Sequence, residues 1–142
     1  MHRFASVLLV DPRGRLLLQE RDEHPVIDPE KWGLVGGHLE EDEDYEPAAY
    51  RELAEETGVV LEPGRLRLFG EFEVFHEAYG TLDTAQIWYA AVDLADEDIV
   101  LGEGRQVVFV EPAEALAKDL TASARIVVPA FVDSAEYREL LG

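Results

Sequence analysis

The sequence predicts an α+β or mixed α/β sandwich, with helices covering a mixed sheet. Three observations carry this. Strand-type runs fall into two groups, separated by one capped helical segment and followed by two more, so the order reads ββαβββαα. At 142 residues the chain has the usual size of one domain and can bury a real core. Apolar residues make up 47% and charged residues 30%, an ordinary globular composition.

The elements follow in order. Phe4–Val10 (FASVLLV) is an unbroken apolar run of the buried-strand type, and DPRG (Asp11–Gly14) is a turn signal. Arg15–Arg21 reads as the second strand of a hairpin. DEHPVIDPE is polar with two prolines and is expected as a loop, and Lys31–His38 is short, apolar and glycine-rich. A helix is expected from Glu46 or Pro47 to Thr57, with Asp44 at the N-cap, Pro47 in the first turn and Gly58 past the end. Arg65–Glu77 and Thr84–Leu94 read as long strands joined at YGTLD, and Gln106–Val110 as a short one. Glu111–Leu120 opens with proline and reads as a helix. The segment Thr121–Leu141 is helical at both ends, with Pro129 expected to kink or break it. One domain over residues 1–142 is expected, with no internal repeat.

A net charge of −19 argues against a nucleic-acid polymer or an anionic membrane reached through a basic surface. It leaves room for a small phosphorylated ligand, because a bound cation inverts the local field. Cysteine is absent, which excludes disulfides, thiolate chemistry and zinc sites built on cysteine. The N-terminal apolar run is too short for a membrane span and carries no cleavage pattern, so a cytoplasmic location is expected.

The acids are unevenly spread. Gly37–Val59 holds nine of them (Glu40, Glu41, Asp42, Glu43, Asp44, Glu46, Glu52, Glu55 and Glu56) and a single base, Arg51. A solvated acidic face is the ordinary reading of such a run. The helical wheel points elsewhere. At 100° per residue, Glu55 falls about 40° from Arg51, Glu52 about 100° and Glu56 about 140°, with Ala49, Tyr50, Leu53 and Ala54 on an apolar back. Ala48 falls inside the acidic front, where its small side chain would leave room for ions and a ligand. Like charges at this spacing destabilise a helix, and no base follows at i+4 to relieve them. Clustered carboxylates of this kind suit a hard divalent cation. Mg²⁺ keeps several waters and takes phosphate oxygens from its substrate. An EF-hand fits poorly, since Pro47 stands where the loop needs glycine.

The window GHLEEDEDYEPAAYRELAEETGV resembles the Nudix box, G-x5-E-x7-R-E-U-x-E-E-x-G-U with U a bulky aliphatic. Gly37, Glu43, Arg51, Glu52, Leu53, Glu55, Glu56, Gly58 and Val59 fill every defined position with both spacers correct. In the lead-in WGLVGGHLE, Val35 stands where the family often has proline, outside the box and without expected loss of activity. The resemblance implies an α/β/α sandwich and a loop–helix–loop motif. It implies that Glu52, Glu55, Glu56 and the Gly37 carbonyl face a metal ion, Mg²⁺ with Mn²⁺ as the alternative. Glu52 is also a candidate base, oriented by Arg51. Glu43, Leu53, Gly58 and Val59 are implied to be structural, Glu43 by pairing with Arg51. Family members often draw a further acid from outside the box, and Glu103 is the candidate as extra ligand or base.

The remaining candidates are weaker. His38 follows the Gly-Gly pair and could touch a phosphate or base, Trp32 is among the aromatics that could stack on a base, and of the scarce bases Arg15, Arg21, Lys31 and Arg105, Arg105 is the first choice for a substrate phosphate. His2, His24 and His76 carry no functional expectation. The implied reaction is hydrolysis of a nucleoside diphosphate linked to another moiety, with a lean to (d)NTP pyrophosphohydrolase; an ADP-ribose or nucleotide-sugar pyrophosphatase is the alternative. A non-catalytic ligand-sensing module is the competing class, and the intact glutamates speak against it. Isomerases of the same fold would need a cysteine that is lacking here. The partner is a small molecule; the sequence leaves monomer or homodimer open.

Overall fold

A computed structural model describes residues 1–102 and 104–142. Its elements are β1 (Arg3–Val10), β2 (Leu16–Glu20), β3 (Trp32–Gly33), β4 (Val35–His38), α1 (Tyr45–Thr57), β5 (Arg67–His76), β6 (Thr81–Ala91), β7 (Gln106–Val110), α2 (Pro112–Ala117), α3 (Ala122–Val132) and α4 (Ala135–Leu141). The DPRG turn closes on Asp11. Its buried carboxylate accepts the backbone N–H groups of Arg13 and Arg15 at 3.0 and 2.8 Å and the Arg15 Nε–H at 2.7 Å. That side chain substitutes for turn hydrogen bonds the backbone cannot make alone.

The sheet is mixed, as expected. Its main path runs β3-β2-β1-β6-β5, and β1 pairs parallel with β6 from Arg3↔Thr84 to Val10↔Ala91. The other pairings are antiparallel. β1 changes partner along its length: Phe4–Val7 pair with β4, whereas Val10 pairs with Leu16 of β2. The sheet therefore forks beside β1, and a cleft opens between its branches.

Both faces of the sheet are covered, which explains why β1 and β2 read as continuous apolar runs rather than alternating ones. Leu8, Val10, Leu16 and Leu18 pack with Ile87, Val127, Val128 and Phe131 on the side of α3 and α4. Val7, Leu9 and Leu17 point the other way and pack with Ala49 and Leu53 of α1. Alternate residues of one strand thus feed two cores.

Several expectations change: Lys31–His38 forms the two short strands β3 and β4, and β6 begins at Thr81, inside the expected YGTLD turn. Pro129 does not break the last segment; it lies inside α3, which runs on to Val132, and the break comes at Ser134, whose hydroxyl caps α4 through Tyr137 N at 3.1 Å. Pro129 and Arg125 are both on the exposed face, so the carbonyl that loses its i+4 donor is turned to water. The helix expected over Glu111–Leu120 is shorter, because Leu120 bridges to Trp32 instead.

Phe131 is fully buried, with the rings of Phe69, Tyr89 and Tyr137 at centroid distances of 5.1, 5.6 and 5.4 Å. Phe131→Ala is expected to lower unfolding stability by about 3–5 kcal/mol, read from urea denaturation.

Candidate active site

α1 carries most of the site. Gly58 ends it in the left-handed region at φ 73°, donating to Ala54 O at 2.9 Å, and Thr57 Oγ1 donates to Leu53 O at 2.6 Å. The buried residues are Ala48, Ala49, Leu53 and Thr57. This corrects the wheel: Ala48 is fully buried, so it leaves no open space for a ligand. The buried arc extends from Ala48 through Glu52 to Thr57, and Glu52 and Glu56 fall within it. The acids therefore face the cleft between the helix and β1–β4 rather than open solvent, with Glu55 at its exposed margin.

Arg51 gathers the acids. Its Nε and Nη2 donate to Glu43 Oε2 and Oε1, both at 2.8 Å, a bidentate pair. Nη1 donates to Glu52 Oε1 at 3.0 Å and Glu55 Oε2 at 3.1 Å. Nη2 also reaches His38 O at 3.1 Å, and Glu40 lies 2.9 Å from Nε. The Arg51 hydrogen bonds hold the Glu43 carboxyl at about 2, well below its ordinary value. Glu43 and the other carboxylates raise the Arg51 guanidinium in return. Glu52 goes the other way: burial raises it, the Arg51 charge and hydrogen bond pull it down, and the balance is upward.

Two glycines bring backbone against this helix. A Cβ on Gly37 would lie 2.7 Å from Glu52 Oε1, and Gly36 N donates to Glu56 Oε2 at 3.0 Å. Gly36 itself runs tightly over Ser6 in β1, where a Cβ would lie 2.6 Å from Ser6 Cα. The carboxylates are thus latched onto the strand that the fork pulls away from β2. They form one wall of a cavity of about 880 Å³, which Gly37, His38, Phe4, Arg21 and Thr121 also line. That volume is in the range of small-molecule sites. The donors are all hard oxygens, and the glycine cradle leaves the Glu52 carboxylate accessible, so the residues fit Mg²⁺ or Mn²⁺.

The NUDIX domain model matches residues 1–131. The chain belongs to the NUDIX domain family. A dihydroneopterin triphosphate diphosphatase of Escherichia coli is 32% identical over 123 residues, covering 77% of this chain and 73% of that one. An RNA pyrophosphohydrolase of Caulobacter vibrioides is 49% identical over 54 residues, 38% of this chain and only 30% of that protein's length. Among solved structures, a MutT protein from Methanosarcina mazei superposes with a TM-score of 0.77 at 26% identity over 92% of both chains.

The other candidates of this Nudix domain are less uniformly gathered. His38 lines the cavity, and burial, then the neighbouring His2, hold its imidazole below the ordinary value, favouring the neutral form. Trp32 is not in the cavity wall; the Lys118 ammonium lies over its ring at 4.1 Å. Arg105 is likewise outside, bonded to Glu30 at 3.1 Å and Glu23 at 3.3 Å. Glu103 lies outside the described residues. Its neighbours Gly102 and Gly104 line the cavity, and Gly102 packs against α1, donating to Glu56 O at 3.1 Å.

Arg21, another of the scarce bases, stands differently from Arg105. It lines the cavity, and its Nε is buried without a hydrogen-bond partner among the described residues. Its position at the end of a strand run, before a proline-rich loop, was the available signal. Asp22, Glu23 and His24 bring ligand atoms within 4.8 Å of one another, but on an exposed turn where Glu23 also pairs with Arg105. Among the described residues no helix is long and apolar enough to cross a membrane.

The Glu43–Arg51 pair has a pH signature. A carboxyl depressed from 4.5 to about 2 stabilises the fold above its unfolded value, and that contribution is lost as pH falls from 4.5 towards 2. Glu43→Gln is expected to lower the melting temperature at neutral pH and to flatten its decline across that acid window, read from thermal melts at a series of pH values.

Proposed function

We propose that this chain is a divalent-cation-dependent hydrolase of a nucleoside diphosphate linked to another group, with one catalytic domain over residues 1–142. The observation that carries the reading is the pair of buried-side carboxylates in the wall of a ligand-sized cavity, Glu56 bonded by the Gly36 N–H at 3.0 Å and Glu52 lying close against Gly37. Glu52, Glu55, Glu56 and the Gly37 carbonyl would hold Mg²⁺, or Mn²⁺ in its place. When bound, the cation neutralises diphosphate oxygens and makes water a better nucleophile. Glu52 takes the proton of the attacking water, and Glu103 is the alternative base. Arg51 fixes the Glu52 carboxylate through its 3.0 Å bond and keeps Glu55 beside it. Water then displaces the leaving phosphate in line, with no covalent intermediate.

Arg21 supports a phosphorylated substrate; nucleoside triphosphates lead, with ADP-ribose or a nucleotide sugar as the alternative. A buried guanidinium N–H without a partner is costly unless a ligand supplies one, and a phosphate oxygen is the natural acceptor. The complete glutamate set favours catalysis over a ligand-sensing role.

The test is a hydrolysis screen with Mg²⁺ over (d)NTPs, ADP-ribose and nucleotide sugars. Glu56→Gln, or removal of the cation with EDTA, is expected to cost about a hundredfold or more in kcat. Full activity of either would sink the mechanism. Arg21→Ala is expected to raise KM about tenfold or more with a smaller change in kcat, since it removes charged hydrogen bonds to bound phosphate. An unchanged KM would remove Arg21 from the site.

A further inference from the structure

One end of the cavity is built from rings. Phe4, His38, His76 and Tyr79 line it together with Ala85. The His38 and Phe4 centroids are 4.2 Å apart, and Phe4 and His76 5.0 Å apart. Tyr79 is itself stacked on His2 at 4.0 Å. None of these rings belongs to the acidic stripe, and His76 carried no expectation from the sequence.

Behind the rings lies a buried acid. The Asp83 side chain is fully buried and accepts His2 N at 2.8 Å, Thr81 Oγ1 at 2.7 Å and the His76 ring at Nδ1, 2.6 Å away. Burial raises its carboxyl, but these three donors outweigh burial and bring it down to about 2, so it is ionised at neutral pH and can only accept. Nδ1 must therefore carry the proton. In the neutral ring this leaves Nε2 as a lone-pair acceptor, and no described residue bonds it. A structural histidine would need only one of these features. Here a ring fixed in tautomer and orientation by a buried carboxylate stands in the wall of the ligand cavity, with its second nitrogen uncommitted.

We propose that the Asp83-anchored His76 reads the group attached to the diphosphate, accepting a hydrogen bond from a ring or exocyclic N–H of a planar heteroaromatic system seated among Phe4, His38 and Tyr79. Within the nucleoside diphosphates already proposed, His76 is then what distinguishes the base from a sugar alone or an apolar isoprenoid chain. Imidazoles and a phenol offer π-faces and polar edges, whereas an aliphatic chain would leave the polar edges without partners. The proposal rests on the hydrolase reading above.

The experiment compares kcat/KM of the full chain with Mg²⁺ at one mildly alkaline pH. The probes are dGTP, ATP, 5-phosphoribosyl diphosphate and geranyl diphosphate. The wild type is expected to prefer a nucleotide over the last two by about tenfold or more. His76→Phe keeps a ring and removes the acceptor. It is expected to cost the nucleotides about tenfold more than 5-phosphoribosyl diphosphate, mainly in KM, and His76→Gln, which restores an acceptor, is expected to recover part of the loss. Thermal melts check folding, and if His76→Phe does not fold, Tyr79→Leu carries the same differential. Equal use of geranyl diphosphate, or a loss shared equally by all probes in whichever variant folds, overturns the proposal while the hydrolase reading stands. No cleavage by the wild type of any probe, nor of ADP-ribose or a nucleotide sugar, overturns the hydrolase reading itself.

Discussion

Repulsion between carboxylates is the constraint from which the site is built, and Arg51 is what contains it. Four acids, Glu40, Glu43, Glu52 and Glu55, lie within 3.1 Å of one guanidinium, and the same group also caps the His38 carbonyl. A lysine could offset charge here but could not hold a bidentate pair with Glu43 while reaching Glu52 and Glu55 from another nitrogen. The bond to His38 O matters as much. It ties the helix to β4, so the carboxylates are fixed against the glycine backbone and not simply against one another. Because the loop acid Glu43 shares this hub, the helix and the segment leading into it are organised by one side chain.

The fork of the sheet supplies the other half of the site. β1 is the common strand, with one partner near its start and another at its end. A sheet that stayed paired throughout would bury these faces under one core. The split instead leaves a cleft whose acidic wall comes from α1, whose floor comes from β1 and β4, and whose rings come from Phe4 of β1, His38 of β4, and His76 and Tyr79 at the β5–β6 turn. Backbone close to Gly36 and Gly37 is possible only without side chains, since a Cβ at either position would lie under 3.0 Å from neighbouring atoms. The glycine pair thus serves packing and chemistry at the same time.

Much of this was legible before any coordinates. The strand runs, the Gly58 cap, the metal-type stripe and its partner Arg51 are local patterns, and local patterns follow from helix and strand periodicity. What was not legible depends on which elements meet. The wheel correctly placed Glu52 and Glu56 beside Ala48, but could not say that this arc faces a sheet. Pro129 reads as a breaker because sequence does not show that its orphaned carbonyl faces water. Arg105 and Arg21 look alike as isolated bases; only tertiary packing commits one to surface acids and leaves the other unpaired in the cavity. His76 was passed over for the same reason, since its partner Asp83 sits across a hairpin and contributes nothing to a local motif.

The charge balance of the whole chain then acquires a specific meaning. A net −19 would repel a polyanionic substrate at long range, yet at physiological ionic strength such repulsion is screened beyond about 8 Å. Within that distance the field is set by groups in the cavity wall. Among them Arg51 is already spent on carboxylates, so under the proposed function a cation on the acidic stripe and the Arg21 guanidinium would receive phosphate. Without the cation, the acidic wall faces the incoming phosphates as like charge. On that proposal phosphate binding is conditional on the metal: the same carboxylates that repel an anion from the bare site would, once neutralised, admit it.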